Sequence, residues 1–211
     1  MATILVKGMP WEYEETSYYG GSDVFNHDEA VEVLRITENI LSNNGIIFMP
    51  IFGTLLGFVR EGDFIKNDYD IDLMIYGKDR IALIDLIPEF AKYGMMFTRK
   101  SEPWVYTFQY KSVSCDFYTI ERARWPYNYR YCRIVENYIQ KSFFEKVEKI
   151  EVFGIQVNVP ANPENLLEYM YGKNWRTPQK GQAKTQTYAL VHINAYRFVK
   201  RCISYVRRHY L

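Results

Sequence analysis

The sequence is poor in the residues that build metal clusters and disulfide frameworks. It contains only three cysteines and three histidines in 211 residues. Cys115, Cys132 and Cys202 are too far apart for a zinc motif, and an odd number of thiols does not form a disulfide framework. The histidines show no mutual spacing that indicates catalysis or metal binding. We therefore expect a reducing compartment.

The sequence also lacks a long apolar run and a strong net charge. The N-terminal segment, residues 1–15, has only a short apolar stretch, too short for the core of a signal peptide or for a membrane span. The formal net charge is +1, so the whole molecule exerts no strong attraction on nucleic acid. We expect a cytoplasmic protein without a nucleic-acid partner.

Acidic residues are missing from the C-terminal part of the chain. From Tyr169 onward there is no Asp or Glu, whereas nine Lys and Arg occur, which leaves residues 1–168 with a net charge of −8. The pattern over residues 186–210 predicts a long basic amphipathic helix. This helix either packs on the acidic body or lies on an anionic membrane surface, which would place the protein peripherally at the inner face of the membrane.

The hydrophobic pattern predicts one α+β domain over residues 1–211, with a catalytic core over about residues 28–160 and a helical part over residues 161–211. The first 25 or so residues, rich in Tyr, Gly and Ser, are interpreted as an irregular arm. Helices are predicted over residues 26–45, 55–61 and 78–94. Strands are predicted over residues 46–52, 68–75, 95–100, 104–111, 112–121 and 153–160.

Two of these helices have predicted buried faces. In the helix over residues 26–45, capped by Asn26 or Asp28, the buried residues are Ala30, Val33, Leu34, Thr37, Ile40 and Leu41. In the helix over residues 78–94, they are Ile81, Ile84, Leu86 and Phe90.

Three aspartates alternate with other residues in the segment DYDIDLMI, residues 68–75. Side chains alternate between the faces of a strand, so Asp68, Asp70 and Asp72 should share one face. The opposite face would carry Tyr69, Ile71, Leu73 and Ile75. Crowded carboxylates repel each other, so a cation is expected among them. Asp70 and Asp72 offer the hard oxygen ligands that suit Mg²⁺ or Mn²⁺. The alternative is a polar edge strand with solvated carboxylates.

Two further features favour a metal site with a phosphate ligand. Gly53 and Thr54 form a predicted small-residue turn whose amides and hydroxyl can approach phosphate oxygens. Asp116 lies in a predicted strand whose residues Val113, Cys115 and Phe117 should face the core. Asp116 would then point the other way, and a neighbouring strand could bring this third carboxylate to the same metal. Taken alone, Asp116 could equally face solvent.

The segment GTLLGFVREGDFIKNDYDIDLMI, residues 53–75, resembles the signature of the LicD/fukutin family of the nucleotidyltransferase superfamily. That signature reads roughly Gly-Ser/Thr-Leu-Leu-Gly-x-x-Arg and, further on, Asp-x-Asp-Ile/Val-Asp. Residues 153–178 resemble the family's ending, with Leu-x-x-x-Tyr-Gly. The resemblance covers about residues 28–178 and implies a nucleotidyltransferase-like mixed β-sheet flanked by helices. Lys66 and Asn67 replace the family's Pro-Trp, so the pocket wall differs from the family's pattern at these positions.

The resemblance also implies roles for individual residues. Asp70, Asp72 and Asp116 correspond to the family's metal ligands. Asp68 corresponds to the aspartate that opens the run, and all four are candidate catalytic residues. The residues that correspond to substrate-binding positions are Gly53, Thr54, Arg60, Tyr171 and Gly172. For Arg60, a surface position on a short helix is the alternative.

Family members use a CDP-activated donor, such as CDP-choline, CDP-ribitol or CDP-glycerol, and a divalent metal. The resemblance thus implies transfer of phosphocholine or a phospho-alditol to a sugar hydroxyl of a surface glycan, capsule or lipopolysaccharide, with release of CMP. The acceptor could be lipid-linked. One of the four aspartates could take the acceptor's proton. The alternatives are transfer of a nucleoside monophosphate from an NTP with release of pyrophosphate, and a non-catalytic glycan- or nucleotide-binding module.

Residues 121–133, ERARWPYNYRYCR, interleave four arginines with four aromatic residues. This segment could stack a cytosine or grip an acceptor glycan. An ordinary amphipathic loop near the cleft is the alternative.

Overall fold

The computed structural model describes residues 1–16, 24–66 and 68–178. The predicted basic helix over residues 186–210 lies outside these residues, as does most of the predicted helical C-terminal part. No helix within the described ranges is both long enough and apolar enough to cross a membrane.

The described chain alternates between strands and helices in an α+β order. The helices are α1 (His27–Asn43), α2 (Phe52–Arg60), α3 (Arg80–Asp85), α4 (Ile87–Lys92) and α5 (Pro163–Tyr171). The strands are β1 (Ala2–Val6), β2 (Met9–Tyr13), β3 (Phe48–Pro50), β4 (Asp70–Tyr76), β5 (Met96–Ser101), β6 (Val105–Tyr110), β7 (Val113–Arg122), β8 (Tyr131–Ile134), β9 (Asn137–Gln140), β10 (Val147–Val152) and β11 (Ile155–Pro160). Short 3₁₀ turns occupy Gly77–Asp79, Tyr127–Tyr129 and Lys141–Phe144.

The main sheet is mixed. Its strand order is β3-β4-β7-β6-β5, with β8 paired to the end of β7 and β9 paired to β8. The pairing of β4 with β7 is parallel, and the other neighbours are antiparallel. Strands β1–β2 and β10–β11 form two separate hairpins. The prediction of a mixed sheet flanked by helices is confirmed.

One face of β4 and β7 is apolar and carries the main core. Ile71, Leu73 and Ile75 are fully buried, as are Cys115 and Phe117 on β7. The predicted alternation is therefore confirmed within β4. It is wrong for Tyr69, which is 50% exposed because the strand begins only at Asp70.

Helix α1 packs on this core through the face that the sequence predicts to be buried. Its cap is Asn26, whose Oδ1 accepts a hydrogen bond from the Glu29 backbone N–H at 3.2 Å. The helix ends at Asn43, and Gly45 has the positive φ of +68° that favours glycine after a helix. The six residues predicted to be buried on α1 are all buried: Ala30, Val33, Leu34, Thr37, Ile40 and Leu41.

Three predictions about local structure are wrong. Residues 2–13 form a hairpin rather than an irregular arm, because Lys7 and Gly8 both adopt positive φ and close a tight turn. The predicted helix over residues 78–94 is two short helices that meet at Leu86, just before Pro88, which cannot continue the backbone hydrogen bonds. Ile81, predicted to be buried, is 59% exposed.

Helix α2 also differs from the prediction, because Gly53 and Thr54 form its first turn rather than a separate turn. Farther along α2, Gly57 is in close contact with the backbone of the loop that follows the helix. A Cβ atom at Gly57 would lie 2.5 Å from the Asp63 carbonyl oxygen and 2.8 Å from the Ile65 nitrogen. Gly57 therefore allows this loop to pack directly on α2.

We expect Gly57→Ala to destabilise the protein by about 2 kcal/mol or more, since backbone atoms cannot move aside as a side chain can. This corresponds to a decrease of roughly 4–8 °C in the melting temperature for a chain of this length, measured by thermal denaturation. Gly53→Ala is the matched control in the same helix, because the nearest atom to its Cβ would be a carboxylate oxygen of Asp68 at 3.2 Å. An equal loss of stability in both variants would contradict this explanation.

Candidate metal centre

The parallel pairing of β4 and β7 brings three carboxylates together. Asp72 lies directly opposite Asp116 in the register, and Asp70 lies opposite Ser114 on the same face. One oxygen atom from each of Asp70, Asp72 and Asp116 lies within 4.8 Å of the others. The structure thus confirms the prediction that a strand next to β4 delivers Asp116 to this site.

The backbone of Asp72 is fixed by the junction between β3 and α2. The Asp72 N–H donates a hydrogen bond to Thr54 Oγ1 at 2.9 Å, and the Ile51 N–H donates to the Asp72 carbonyl at 3.0 Å. Thr54 is fully buried. The hydroxyl predicted to approach a phosphate is therefore engaged with the backbone of a candidate metal ligand.

Asp68 reaches the same site from the segment before β4. Its backbone N–H donates to the Ile65 carbonyl at 3.1 Å, which fixes the loop on which it lies. A Cβ atom at Gly53 would lie 3.2 Å from Asp68 Oδ2 and 3.9 Å from Asp72 Oδ2. Gly53 therefore borders both carboxylates and leaves open the space beside them.

Arg99 on β5 and Thr107 on β6 are part of the site, and the sequence analysis missed both. Thr107 pairs with Asp116 across β6 and β7, and Arg99 pairs with Thr107 across β5 and β6. Thr107 Oγ1 donates to Asp116 Oδ1 at 2.5 Å, and Arg99 Nη2 donates to Asp116 Oδ2 at 3.3 Å. Arg99 thus supplies positive charge next to the carboxylates. Its place could have been predicted only from the pairing of three strands.

Aromatic residues close the side of the site formed by α2 and β7. The Tyr118 hydroxyl lies beside the carboxylates of Asp72 and Asp116 and opposes the rise in the pKa of both. The Phe52 ring makes an edge-to-face contact with Tyr118, with the ring centroids 5.1 Å apart. Phe52 has a φ of +48°, a conformation that costs energy for an aromatic residue. The strained residue thus lies at the start of α2, beside the carboxylates.

Tyr171, at the end of α5, faces the acidic site. Its hydroxyl oxygen is buried and has no hydrogen-bond partner among the described residues. Burial raises the pKa of Tyr171, and the negative charges of Asp72 and Asp68 raise it further. A buried hydroxyl without a partner is unusual and marks a position where a ligand or water can bind.

Gly172 and Arg60, the other two predicted substrate-binding residues, have structural contacts. Gly172 ends α5 with a φ of +85°, and its N–H donates to the Glu168 carbonyl at 2.8 Å. The Arg60 guanidinium donates to Glu61 Oε1 at 2.5 Å through Nη2 and to the Trp175 carbonyl at 3.5 Å through Nη1. Arg60 thus joins the end of α2 to the segment after α5.

The four aspartates are crowded, with Asp72 and Asp116 buried and Asp68 and Asp70 half-buried beside them. Burial raises the pKa of Asp68 to about 6, and the neighbouring Asp70 adds to the effect. Burial and the adjacent carboxylates raise the pKa of Asp72 well above its ordinary value. Burial also raises the pKa of Asp116, although Thr107 and Arg99 counteract it. Three converging carboxylates whose negative charges repel each other are a suitable ligand set for a hard divalent cation such as Mg²⁺ or Mn²⁺.

The raised pKa values predict a specific pH dependence of stability. In the folded apoprotein, Asp68 binds a proton with a pKa of about 6 rather than 3.8, so the folded state holds more protons than the unfolded chain between these values. The free energy of unfolding must then decrease as the pH rises through this range. We expect the protein in EDTA to melt several degrees lower at pH 7.5 than at pH 5.5.

The matched variants for this experiment are Asp72→Asn and Asp28→Asn. Asp72→Asn removes a buried charge and should raise the melting temperature at pH 7.5 in EDTA. Asp28 is fully exposed on α1, so Asp28→Asn should leave the pH dependence unchanged. A melting temperature that rises from pH 5.5 to 7.5 in wild-type protein would contradict the electrostatic description of the site.

The arginine- and tyrosine-rich segment over residues 121–133 begins at the far end of β7. Arg122 is six residues beyond Asp116, about 20 Å along a strand. Trp125 is 76% exposed and Tyr129 is 86% exposed. This position favours the alternative of an amphipathic loop over that of a base-stacking platform at the aspartates.

Known proteins resemble this chain in sequence and in fold. The model of the family described as LicD/FKTN/FKRP, nucleotidyltransferase domain, matches residues 45–162. Ribitol-5-phosphate transferase FKTN of Mus musculus is 29% identical over 160 residues, which cover 72% of this chain and 34% of that protein. An uncharacterized protein of Rickettsia prowazekii (strain Madrid E) is 24% identical over 151 residues, which cover 66% of this chain and 53% of that protein.

The chain therefore spans about half or less of the length of these curated relatives. Among solved structures, the antibiotic-resistance factor ANT(2″)-Ia superimposes with a TM-score of 0.52 at 16% identity, over 88% of this chain and 100% of that one. This likeness shows the fold alone. Because the family model matches more than half of the sequence, including Asp70, Asp72 and Asp116, the chain belongs to the LicD/FKTN/FKRP nucleotidyltransferase-domain family.

Proposed function

We propose that the protein is a metal-dependent phosphotransferase. It moves a phosphocholine or phospho-alditol group from a CDP-activated donor to a sugar hydroxyl of a glycan, and CMP is released. The observation that carries the proposal is the convergence of Asp70, Asp72 and Asp116 from two parallel strands, with ligand oxygens within 4.8 Å of each other. Membership of a family that includes a ribitol-5-phosphate transferase supports the choice of donor.

The three carboxylates of the cluster fit a divalent cation. Asp70, Asp72 and Asp116 would hold the ion, and hard carboxylate oxygens in a partly buried cluster favour Mg²⁺ or Mn²⁺ over softer metals. When bound, the metal supplies charge neutralisation for the diphosphate and for the leaving phosphate. The buried Tyr171 hydroxyl, which has no hydrogen-bond partner among the described residues, faces the same space and can donate a hydrogen bond to a phosphate oxygen.

The start of α2 provides space for the donor's phosphates. N–H groups in the first turn of a helix have no acceptor within the helix, and the positive end of the helix dipole favours anions. Gly53 lies in this turn and has no side chain to fill the space beside Asp68 and Asp72. A diphosphate can therefore approach the backbone of α2 and the carboxylate cluster at the same time.

The bond changes follow from this placement. The acceptor hydroxyl oxygen attacks the phosphorus that carries the choline or alditol, and the bond from that phosphorus to the CMP oxygen breaks. The hydroxyl proton passes to a base. Asp68 is positioned for this role because it borders the site. The candidate metal ligands are the other three aspartates, so Asp68 is available as a base. Its pKa of about 6 suits a group that accepts a proton near neutral pH.

A donor panel tests the proposal. Purified protein with Mg²⁺ or Mn²⁺ and a mixture of oligosaccharide acceptors is incubated with CDP-choline, CDP-ribitol, CDP-glycerol and each NTP, and the nucleotide products are separated by chromatography. We expect CMP from one CDP compound. Asp72→Asn should lower this rate by roughly 10²–10³-fold because a group that stabilises transition-state charge is lost.

Asp28→Asn is the matched control, and its rate should equal that of wild type, because the Asp28 side chain is fully exposed on α1. Release of pyrophosphate from an NTP would favour nucleotidyl transfer instead. Unchanged Mn²⁺ affinity in Asp72→Asn, together with no turnover of any donor by wild type, would favour a non-catalytic binding module.

Gly53→Ala tests whether the space beside α2 receives the donor. The new methyl group would lie 3.2 Å from Asp68 Oδ2, within the proposed phosphate position. We expect kcat/KM for the CDP donor to fall by about 10²-fold, as for a misplacement of roughly 1 Å, while the melting temperature changes little. Full activity in Gly53→Ala would show that the diphosphate binds elsewhere.

A further inference from the structure

Residues 122–130 form the connection from β7 to β8, the β7–β8 loop, and they carry arginines without acidic partners. Arg122, Arg124 and Arg130 are exposed, and none of them forms an ion pair with a residue that the structure describes. Each of the other described arginines does form one: Arg35, Arg60, Arg80, Arg99, Arg133 and Arg176. Within the described ranges, the unpaired guanidinium groups are therefore concentrated in one loop.

The same loop presents two aromatic rings to solvent. Trp125 is 76% exposed and Tyr129 is 86% exposed, the highest values for any aromatic residue in the described part of the chain. Apolar ring surface gains free energy when it leaves water, and both side chains also have a polar atom that can stay hydrated. Such rings suit a partner that is apolar inside and polar at its surface.

The β7–β8 loop is fixed by the packing beneath it. The Tyr127 ring lies edge to face against Tyr131 and Tyr138, with centroid distances of 6.4 Å and 5.8 Å. Lys141 Nζ donates a hydrogen bond to the Asn128 carbonyl at 2.8 Å and adds a positive charge at the base of the loop. The loop therefore loses little conformational freedom when a partner binds to its exposed side.

The charge and the shape of the loop favour an anionic lipid surface as this partner. Guanidinium groups bind phosphate groups well, and Trp and Tyr rings are enriched where proteins meet the headgroup layer of a membrane. Binding sites for sugars and nucleotides are concave and bury most of the ligand. Side chains as exposed as Trp125 and Tyr129 project from the protein instead. A flat and deformable headgroup layer can receive such a loop.

We propose that the β7–β8 loop docks the protein on membranes that contain anionic phospholipids. The Trp125 ring enters the headgroup layer, and the arginines contact the lipid phosphates. Each arginine near an anionic surface increases partitioning by about fivefold, so three arginines and one indole ring give reversible rather than permanent attachment. The inference does not depend on the metal centre.

Cosedimentation with vesicles tests this inference. The full chain is mixed at pH 7.5 and physiological ionic strength with vesicles of phosphatidylcholine alone, or of an equimolar mixture of phosphatidylcholine and phosphatidylglycerol. Wild type should bind the mixed vesicles at least about tenfold more strongly, because only these attract the guanidinium groups. Arg124→Gln combined with Arg130→Gln should lower the affinity for the mixed vesicles by roughly 25-fold, about fivefold for each charge.

Trp125 tests the contribution of the aromatic rings separately. Trp125→Ala should weaken binding to the mixed vesicles by about tenfold, because the indole ring no longer leaves water for the headgroup layer. Trp125→Tyr should restore most of this binding, since a tyrosine ring is also favourable in that layer. Equal affinities of wild type and Trp125→Ala would contradict the insertion of this ring.

Two controls separate the loop from the overall charge and from aromatic exposure in general. Arg35→Gln combined with Lys92→Gln removes the same number of charges from exposed positions on α1 and α4. This variant should change the affinity by less than about twofold, because salt screens charges that lie more than about 10 Å from the membrane. Tyr93→Ala removes a ring that is 49% exposed after α4 and should bind like wild type. Thermal denaturation confirms that each variant is folded.

Several results would overturn the inference. Equal losses in the two double variants would show attraction by net charge alone. Vesicle binding that the loop variants leave unchanged would place the contact in another part of the chain, and absence of binding to mixed vesicles would exclude docking. An anionic glycan is the alternative partner, with heparin oligosaccharides as the probe. Loss of heparin binding in Arg124→Gln with Arg130→Gln, without loss of vesicle binding, would assign the loop to a glycan instead.

Discussion

Repulsion between buried carboxylates is the constraint on which this structure depends. The strand register that places Asp70, Asp72 and Asp116 together also places Ile71, Leu73 and Phe117 in the core on the opposite face. A slip of one residue between β4 and β7 would move acids into the core and apolar side chains to the site. Hydrophobic burial on one face therefore holds together charges that would separate if they were free to move.

The surrounding polar groups reduce the cost of this arrangement without removing it. Thr107 and Arg99 hydrogen-bond to Asp116, and the Tyr118 hydroxyl lies beside Asp72 and Asp116. Each of these three residues lowers the pKa of at least one aspartate. Burial still dominates, because the pKa values of the aspartates remain raised. A fold selected for stability alone would not gather these groups, so the residual strain is typical of a functional site. It also provides a driving force for cation binding.

The sequence could predict the features that follow from the alternation of side chains along a strand or from the periodicity of a helix. Alternation in residues 70–75 and in residues 113–117 identified which aspartates leave the core, and Asn26 and Gly45 marked the ends of α1. The sequence does not predict where Arg99 lies. The position of this residue depends on the register of β5, β6 and β7 and on an irregularity between Phe97 and Arg99. The β1–β2 hairpin was missed because the Lys7–Gly8 turn is a weaker signal than Asn-Gly.

The segment GTLLGFVR shows how structural and chemical roles combine in one short helix. The sequence predicts that Thr54 contacts a phosphate, but its hydroxyl accepts a hydrogen bond from the Asp72 backbone N–H. Gly57 allows the loop at residues 63–65 to pack on α2, and that loop leads to Asp68. Gly53 keeps space open beside the carboxylates. Helix α2 thus positions the backbones of Asp68 and Asp72. Substitutions in α2 should therefore alter the geometry of these two carboxylates as much as they alter the binding of phosphate.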